Sequence, residues 1–187
     1  LPVIAGILLW NKLPDTMAIH FDIYNNPDNF CSKSFVVFGM PLLMVVLQGF
    51  CCYINDINAH KYGTRVKFER ITKWIIPILS VLLQLITFGY SLNINIDIRK
   101  TVTVIIGIMF LVIGNYMPKF NKIKNYNTDT EIARKINRFV GIETVIMGVL
   151  FLISAFLPVE ASIICLILLI PYAATGIIYG IYKGKKI

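Results

Sequence analysis

Charge is what this chain has least of. Asp, Glu, Lys and Arg supply 15% of its 187 residues, where a soluble domain carries about 25%. It has two histidines and four cysteines, too few well-placed ligands for a closed metal site, which needs about four. No H-E-x-x-H, no G-x-S-x-G and no Walker-type glycine loop occurs, which removes the enzyme classes those motifs define. No catalytic residue, cofactor or metal is expected. What the chain does have is apolar residues, at 57%.

The apolar residues come in runs. Charge-free windows cover Ser34 to Asn55, Trp74 to Ile96, Thr101 to Pro118, Thr144 to Val159 and Ala161 to Tyr182. A helix needs about 20 apolar residues to cross a hydrocarbon core near 30 Å thick. The runs are apolar on all sides, without the alternation of a membrane β-barrel. The expected fold is all-α: a polytopic transmembrane helix bundle in one membrane domain. Spans are expected near 1–12, 35–54, 74–92, 101–117, 142–158 and 161–182, with the first truncated at Leu1. A signal peptide is the rival reading of that end, without a basic n-region to support it. Pro41 and Pro77 fall in early turns of their spans, where a missing N–H costs least. Pro171 is mid-span and is expected to kink the last helix. Gly176 and Gly180 form a G-x-x-x-G step that suits either internal packing or a dimer seam.

Lys and Arg crowd into every second loop. Fourteen of the 18 lie in residues 55–73, 118–143 and the C-terminal tail. Short basic loops stay cytoplasmic. Both termini are therefore expected inside the cell membrane, and loops 13–34, 93–100 and 158–162 outside. The net charge of +8 then reflects anionic inner-leaflet lipids as partners, and no nucleic acid is needed. The four cysteines read as free thiols.

The loop 13–34 is the most unusual polar segment. It holds Leu13, Pro14, His20, Phe21, Asp22, Pro27 and Asp28. Residues 18–21 carry no turn signal and read as a short extended piece, whereas Asn25-Asn26-Pro27-Asp28 is a turn signature. So many apolar residues suggest a loop folded back over the helix ends. His20 with Asp22 and Asp28 allows a metal reading; a histidine held by loop hydrogen bonds is the plainer one. In the spans, Gln48 and Gln84 serve either as packing glue or as a polar lining. No span holds a charge at mid-depth, which counts against pumps and coupled transporters. Glu143 enters the fifth span behind Arg138 as an internal ion-pair candidate. Thr128 to Glu131 matches a capping box, and residues 129–141 read as an amphipathic helix on the cytoplasmic leaflet. That helix either anchors to the surface or docks a cytoplasmic partner.

Leu13-Pro14-Asp15-Thr16, then Ile19-His20-Phe21 and Pro27-Asp28, resemble an uncharacterised N-terminal module of Gram-positive membrane proteins. Gly114-Asn115-Tyr116-Met117-Pro118-Lys119 and Arg134 to Gly141, with Arg138 inside, resemble the hallmark stretches of the SdpI-like immunity proteins. The resemblance implies a six-helix protein that protects its cell against a secreted toxic peptide. In some members it implies a signal to a cytoplasmic regulator. Asn121 to Asn127 departs from the family pattern, running straight into the cytoplasmic helix. Two functions are therefore expected to compete: peptide interception at the outer loop, and a lipid or small-molecule carrier using the bundle interior.

Overall fold

The computed structural model describes residues 1–62, 66–119 and 130–184. Its order is α1 (Pro2–Leu8), β1 (Thr16–Phe21), β2 (Pro27–Ser32), a π-helical turn (Phe35–Gly39), α2 (Met40–Tyr62), α3 (Val66–Ser91), α4 (Ile98–Tyr116), a 3-10 turn (Met117–Lys119), α5 (Thr130–Ser154) and α6 (Val159–Gly184). Among the described residues five helices are long and apolar enough to cross a membrane, and the chain is a multi-pass membrane protein. Leu42, Val45, Val46, Ile167 and Ile170 are among many large apolar side chains left exposed. Lipid is the solvent that removes the cost of that exposure. The expected capping box at Thr128–Glu131, the departure at Asn121–Asn127, the side chain of Lys119 and the surroundings of Gly180 lie outside what is described.

The chain divides into two compact units. One comprises Leu1–Ile54 and Lys73–Thr101; the other comprises Asn55–Thr72 and Val102–Ile187. The core of the first gathers Leu13, Met17, Val36, Val37 and Phe88. Gly6 lets α1 reach this core, because a methyl there would sit 2.6 Å from a Val37 methyl.

The two mid-span glutamines have specific partners in this first unit. In the π-helical turn Met40 N–H donates to Phe35 O, five residues back. The next donor in that pattern would be Pro41, which has no N–H. Gln84 Nε2 supplies the bond instead, at 2.9 Å from Val36 O, and Gln84 is buried. The same device recurs at Pro77, which lies inside α3. An α-helical residue there would donate to Lys73 O, four back; Gln48 Nε2 does so at 2.8 Å. Each glutamine thus repairs, from a neighbouring helix, a bond that a proline breaks. This corrects the placing of Pro77 in an early turn. The helix begins at Val66, well before the apolar run, so the proline is interior.

In the second unit α4 and α5 meet through glycine. Gly107 and Gly114 on α4 lie opposite Gly148 and Gly141 on α5, so the paired positions recur every seventh residue on both helices. Backbone approaches backbone there, with Cα–H groups near carbonyl oxygens. Helix α6 packs on α5 through Thr144 Oγ1 to Tyr172 Oη at 2.8 Å, Phe139 stacked on Tyr179 at 4.4 Å, and a core of Met147, Phe151 and Cys165. Gly176 meets Val140 at an ordinary 3.6 Å, so this end of the G-x-x-x-G step serves internal packing with room to spare. All four cysteines are free.

One boundary differs from expectation. The separate surface helix at 129–141 and the span at 142–158 form a single helix, α5. Nothing at Gly141 stops it: that glycine backs onto Pro118 and the Gly114 carbonyl and is a contact point rather than a break. Glu143 consequently lies mid-helix.

Candidate functional site

The segment with the most organised polar chemistry is the hairpin β1–β2. Its strands pair antiparallel, with Thr16 opposite Ser32, Met17 opposite Cys31 and Ala18 opposite Phe30. The register then shifts at Ala18/His20 and His20/Phe21, a bulge that re-aims side chains near the turn. Along Thr16 to Phe21, Met17 and Ala18 are buried while His20 is exposed. The expected extended piece at 18–21 is therefore the last four residues of β1, whereas the expected turn at Asn25 to Asp28 is shifted: the turn runs over residues 22–26, and Pro27 and Asp28 already belong to β2.

The bulge brings His20 and Asp28 together. Nδ1 lies 2.6 Å from Asp28 Oδ1, with side chains 68% and 47% exposed. This is the loop-held histidine expected from sequence. Asp22 is used differently. Its carboxylate accepts N–H bonds from Tyr24 and Asn26 at 2.8 Å and the Asn26 side-chain amide at 3.0 Å. The Asn26 amide, its backbone N–H and that of Tyr24 hold the Asp22 carboxyl below its ordinary range against a small burial effect. Asp22 therefore builds the turn and does not converge with His20. Among the described residues no three His, Cys, Asp or Glu side chains form a metal-binding group.

The turn is pinned to a helix that sequence reasoning did not connect with it. Asn25 has φ 68°, a left-handed conformation that asparagine tolerates better than most residues. Its Nδ2 donates to Asp97 Oδ1 at 3.0 Å, and its Oδ1 accepts the Arg99 N–H at 2.7 Å. Asp97 is the N-cap of α4, accepting Lys100 N–H at 2.9 Å. Two side chains thus satisfy two of the orphan donors of one helix start. The Lys100 N–H lowers the Asp97 carboxyl below its ordinary range, burial opposes it, and Asn25, Arg99 and Lys100 add to the lowering. Asn25→Gly keeps the backbone conformation and removes both bonds. It should cost about 1 kcal/mol locally, read as faster amide exchange at Arg99 and Asn26. Both aspartates have depressed folded-state values. Their contribution is therefore intact above the unfolded-state range and is lost as pH falls through the folded-state values. Protection of these amides relative to their intrinsic exchange should stay flat across neutral pH and fall only below the ordinary carboxylate range.

The far end of the hairpin is locked by Lys33. Its Nζ lies 3.1 Å from Leu13 O and 3.0 Å from Asp15 Oδ1, and 5.1 Å from the Trp10 ring centroid. Leu13 is buried, Pro14 exposed, and Phe21 packs edge-on against Tyr90 at 4.6 Å. Pro27 opens β2.

A domain of unknown function, DUF1648, matches residues 1–45. The match covers α1, the hairpin, the π-helical turn and the first residues of α2. No curated protein and no solved structure matches the chain.

The remaining candidates sort by unit. Gly114, Pro118 and Gly141 meet at one point of the glycine seam. Asn115, Arg134 and Arg138 are exposed and stand apart from it. The contact of Glu143 is a hydroxyl rather than the expected cation: Thr175 Oγ1 lies 3.0 and 3.1 Å from its two carboxylate oxygens. Gln48 and Gln84 reach backbone carbonyls, which is the packing role rather than the lining role.

Proposed function

We propose that the chain is a membrane immunity protein of the SdpI-like kind. It intercepts a secreted membrane-active peptide at the extracytoplasmic face and needs no enzymatic step. The reading takes both termini as cytoplasmic, as the basic loops require, and places the hairpin outside. One observation carries it: a hairpin fixed at both ends, by Asn25 to α4 and by Lys33 to Leu13 O, holds His20 and Asp28 exposed beside exposed Ile23, Tyr24 and Phe30. Such a surface offers polar and apolar contacts at little ordering cost, which favours binding. Exposed Arg134 and Arg138 on α5 suit a cytoplasmic regulator as a second partner. The competing carrier reading needs Gln48 and Gln84 to face a hydrated interior, and their amide donors are already engaged by backbone carbonyls.

The test is protection. Expression in a toxin-sensitive strain should raise tolerance severalfold. His20→Ala and Asp28→Ala should lower it again at unchanged protein level. Unaltered sensitivity despite well-inserted protein would defeat the reading.

A further inference from the structure

We infer that the exposed edge of β2 receives an extended cationic peptide as a third strand. This rests on the interception reading and names the form in which the peptide is held. The argument begins from register. Lys33 N–H donates to Asp15 O at 2.8 Å. Asp15 and Lys33 are thus a hydrogen-bonded pair of the antiparallel ladder. Such pairs alternate, so Met17 and Cys31 are the next one. Thr16/Ser32 and Ala18/Phe30 are the non-bonded pairs. The N–H and C=O of Phe30 therefore point away from β1, toward the open side of β2.

Among the described residues no third strand pairs with β2 on that side. Asp28, Asn29, Phe30 and Ser32 are exposed, whereas Met17 and Ala18 of β1 are buried. A row of outward backbone groups is a template for another strand. Pro27 and the bulge blunt the edge near the turn, which confines the template to residues 29–32. Charge names the partner. From Leu13 to Ser32 the chain holds three aspartates and no lysine or arginine. Two lysines flank that stretch: Lys12, which is exposed, and Lys33, which is turned inward to Asp15 and Trp10 with 15% of its side chain exposed. Hydrogen bonds from Asn26 and Tyr24 hold the Asp22 carboxyl below its ordinary range. A strand that combines lysines with apolar residues would meet the aspartates and Phe30 together.

The probe is an acetylated and amidated octapeptide of alternating lysine and valine, added to the full chain in nanodiscs. Amide exchange of Phe30 should slow at least tenfold, while that of Cys31, already in the ladder, changes less than twofold. Combined Asp22→Asn and Asp28→Asn should weaken binding at least fivefold. The same peptide N-methylated at alternate residues should not protect Phe30. Equal protection by both peptides, protection at neither, or a Phe30 amide already shielded by the bilayer without peptide would each overturn the proposal. In cells, Phe30→Pro removes only an outward N–H and should abolish tolerance, while Phe30→Leu retains it. Tolerance that survives Phe30→Pro in inserted protein sinks the edge and spares the immunity reading. Phe30 protection by the octapeptide without any toxin tolerance does the reverse. If Phe30→Pro fails to accumulate, the exchange measurement on the native chain still decides.

Discussion

Gly114→Val should strip the membrane of folded protein, while Gly176→Ala leaves its level unchanged. The difference lies in what a new side chain meets. The first methyl carbon at Gly114 would fall 2.7 Å from Gly141 O and 2.8 Å from Val145 N. Both are backbone atoms and cannot rotate away. Overpacking against side chains costs about 1–3 kcal/mol. Against a facing helix backbone the whole seam must part, and the cost should exceed that range, comparable to the total stability of about 5–15 kcal/mol of many domains. Gly114→Ala should already lose about 3 kcal/mol. At Gly176 the nearest atom is 3.6 Å away on the Val140 side chain, an ordinary contact. The measurement is the amount and thermal midpoint of detergent-extracted monodisperse protein. Normal stability for Gly114→Val would mean that α4 and α5 do not meet at that point.

Gln84→Leu should destabilise the native chain by about 2–3 kcal/mol, the cost of leaving one buried carbonyl unpaired in an apolar setting. The sharper expectation is the rescue. In a Pro41→Ala background, residue 41 recovers an N–H within reach of the Val36 carbonyl. Gln84→Leu should then cost less than about 1 kcal/mol, a coupling that a double-mutant cycle isolates. Gln48 and Pro77 should form a second coupled pair through the Lys73 carbonyl. Its effect should be smaller, because Gln48 is only partly buried. The crossed combinations, Gln84→Leu with Pro77→Ala and Gln48→Leu with Pro41→Ala, should be additive. Additivity within the matched pairs would show that the glutamines serve some other purpose.

The helices were legible because membrane solvation writes itself in composition. A run such as Ser34 to Asn55 has no alternative way to satisfy its backbone in lipid, and it is helical throughout. The turn was legible in part: Asn25 and Asn26 have the local backbone preferences of a turn, whereas Pro27 and Asp28, read as part of it, open β2. What could not be read was distant pairing. Asn25 and Asp97 are far apart in the chain, and nothing local to either names the other. The glycine seam left a signal that was only half used: Gly114 and Gly141 stood out, whereas Gly107 and Gly148 emerge only from the shared seven-residue spacing. The length of α5 was misjudged for a physical reason. Charge marks where lipid begins, but a helix need not end there. Arg134 and Arg138 ride on the same helix as Met147 and Phe151. The roles of the glutamines were open because a proline looks tolerable or not according to where its helix starts, and that boundary at Val66 lies in a charged stretch.

The wide turn at Phe35–Gly39 has a further consequence, for comparison with other chains. A five-residue hydrogen-bond spacing accommodates one more residue than an α-helical turn. One extra residue rotates everything after it by about 100°. Chains whose second helix is regular here should therefore align with this one only through a single-position gap between Phe35 and Gly39. Where that gap occurs, the residue aligned with Gln84 should be free to become apolar.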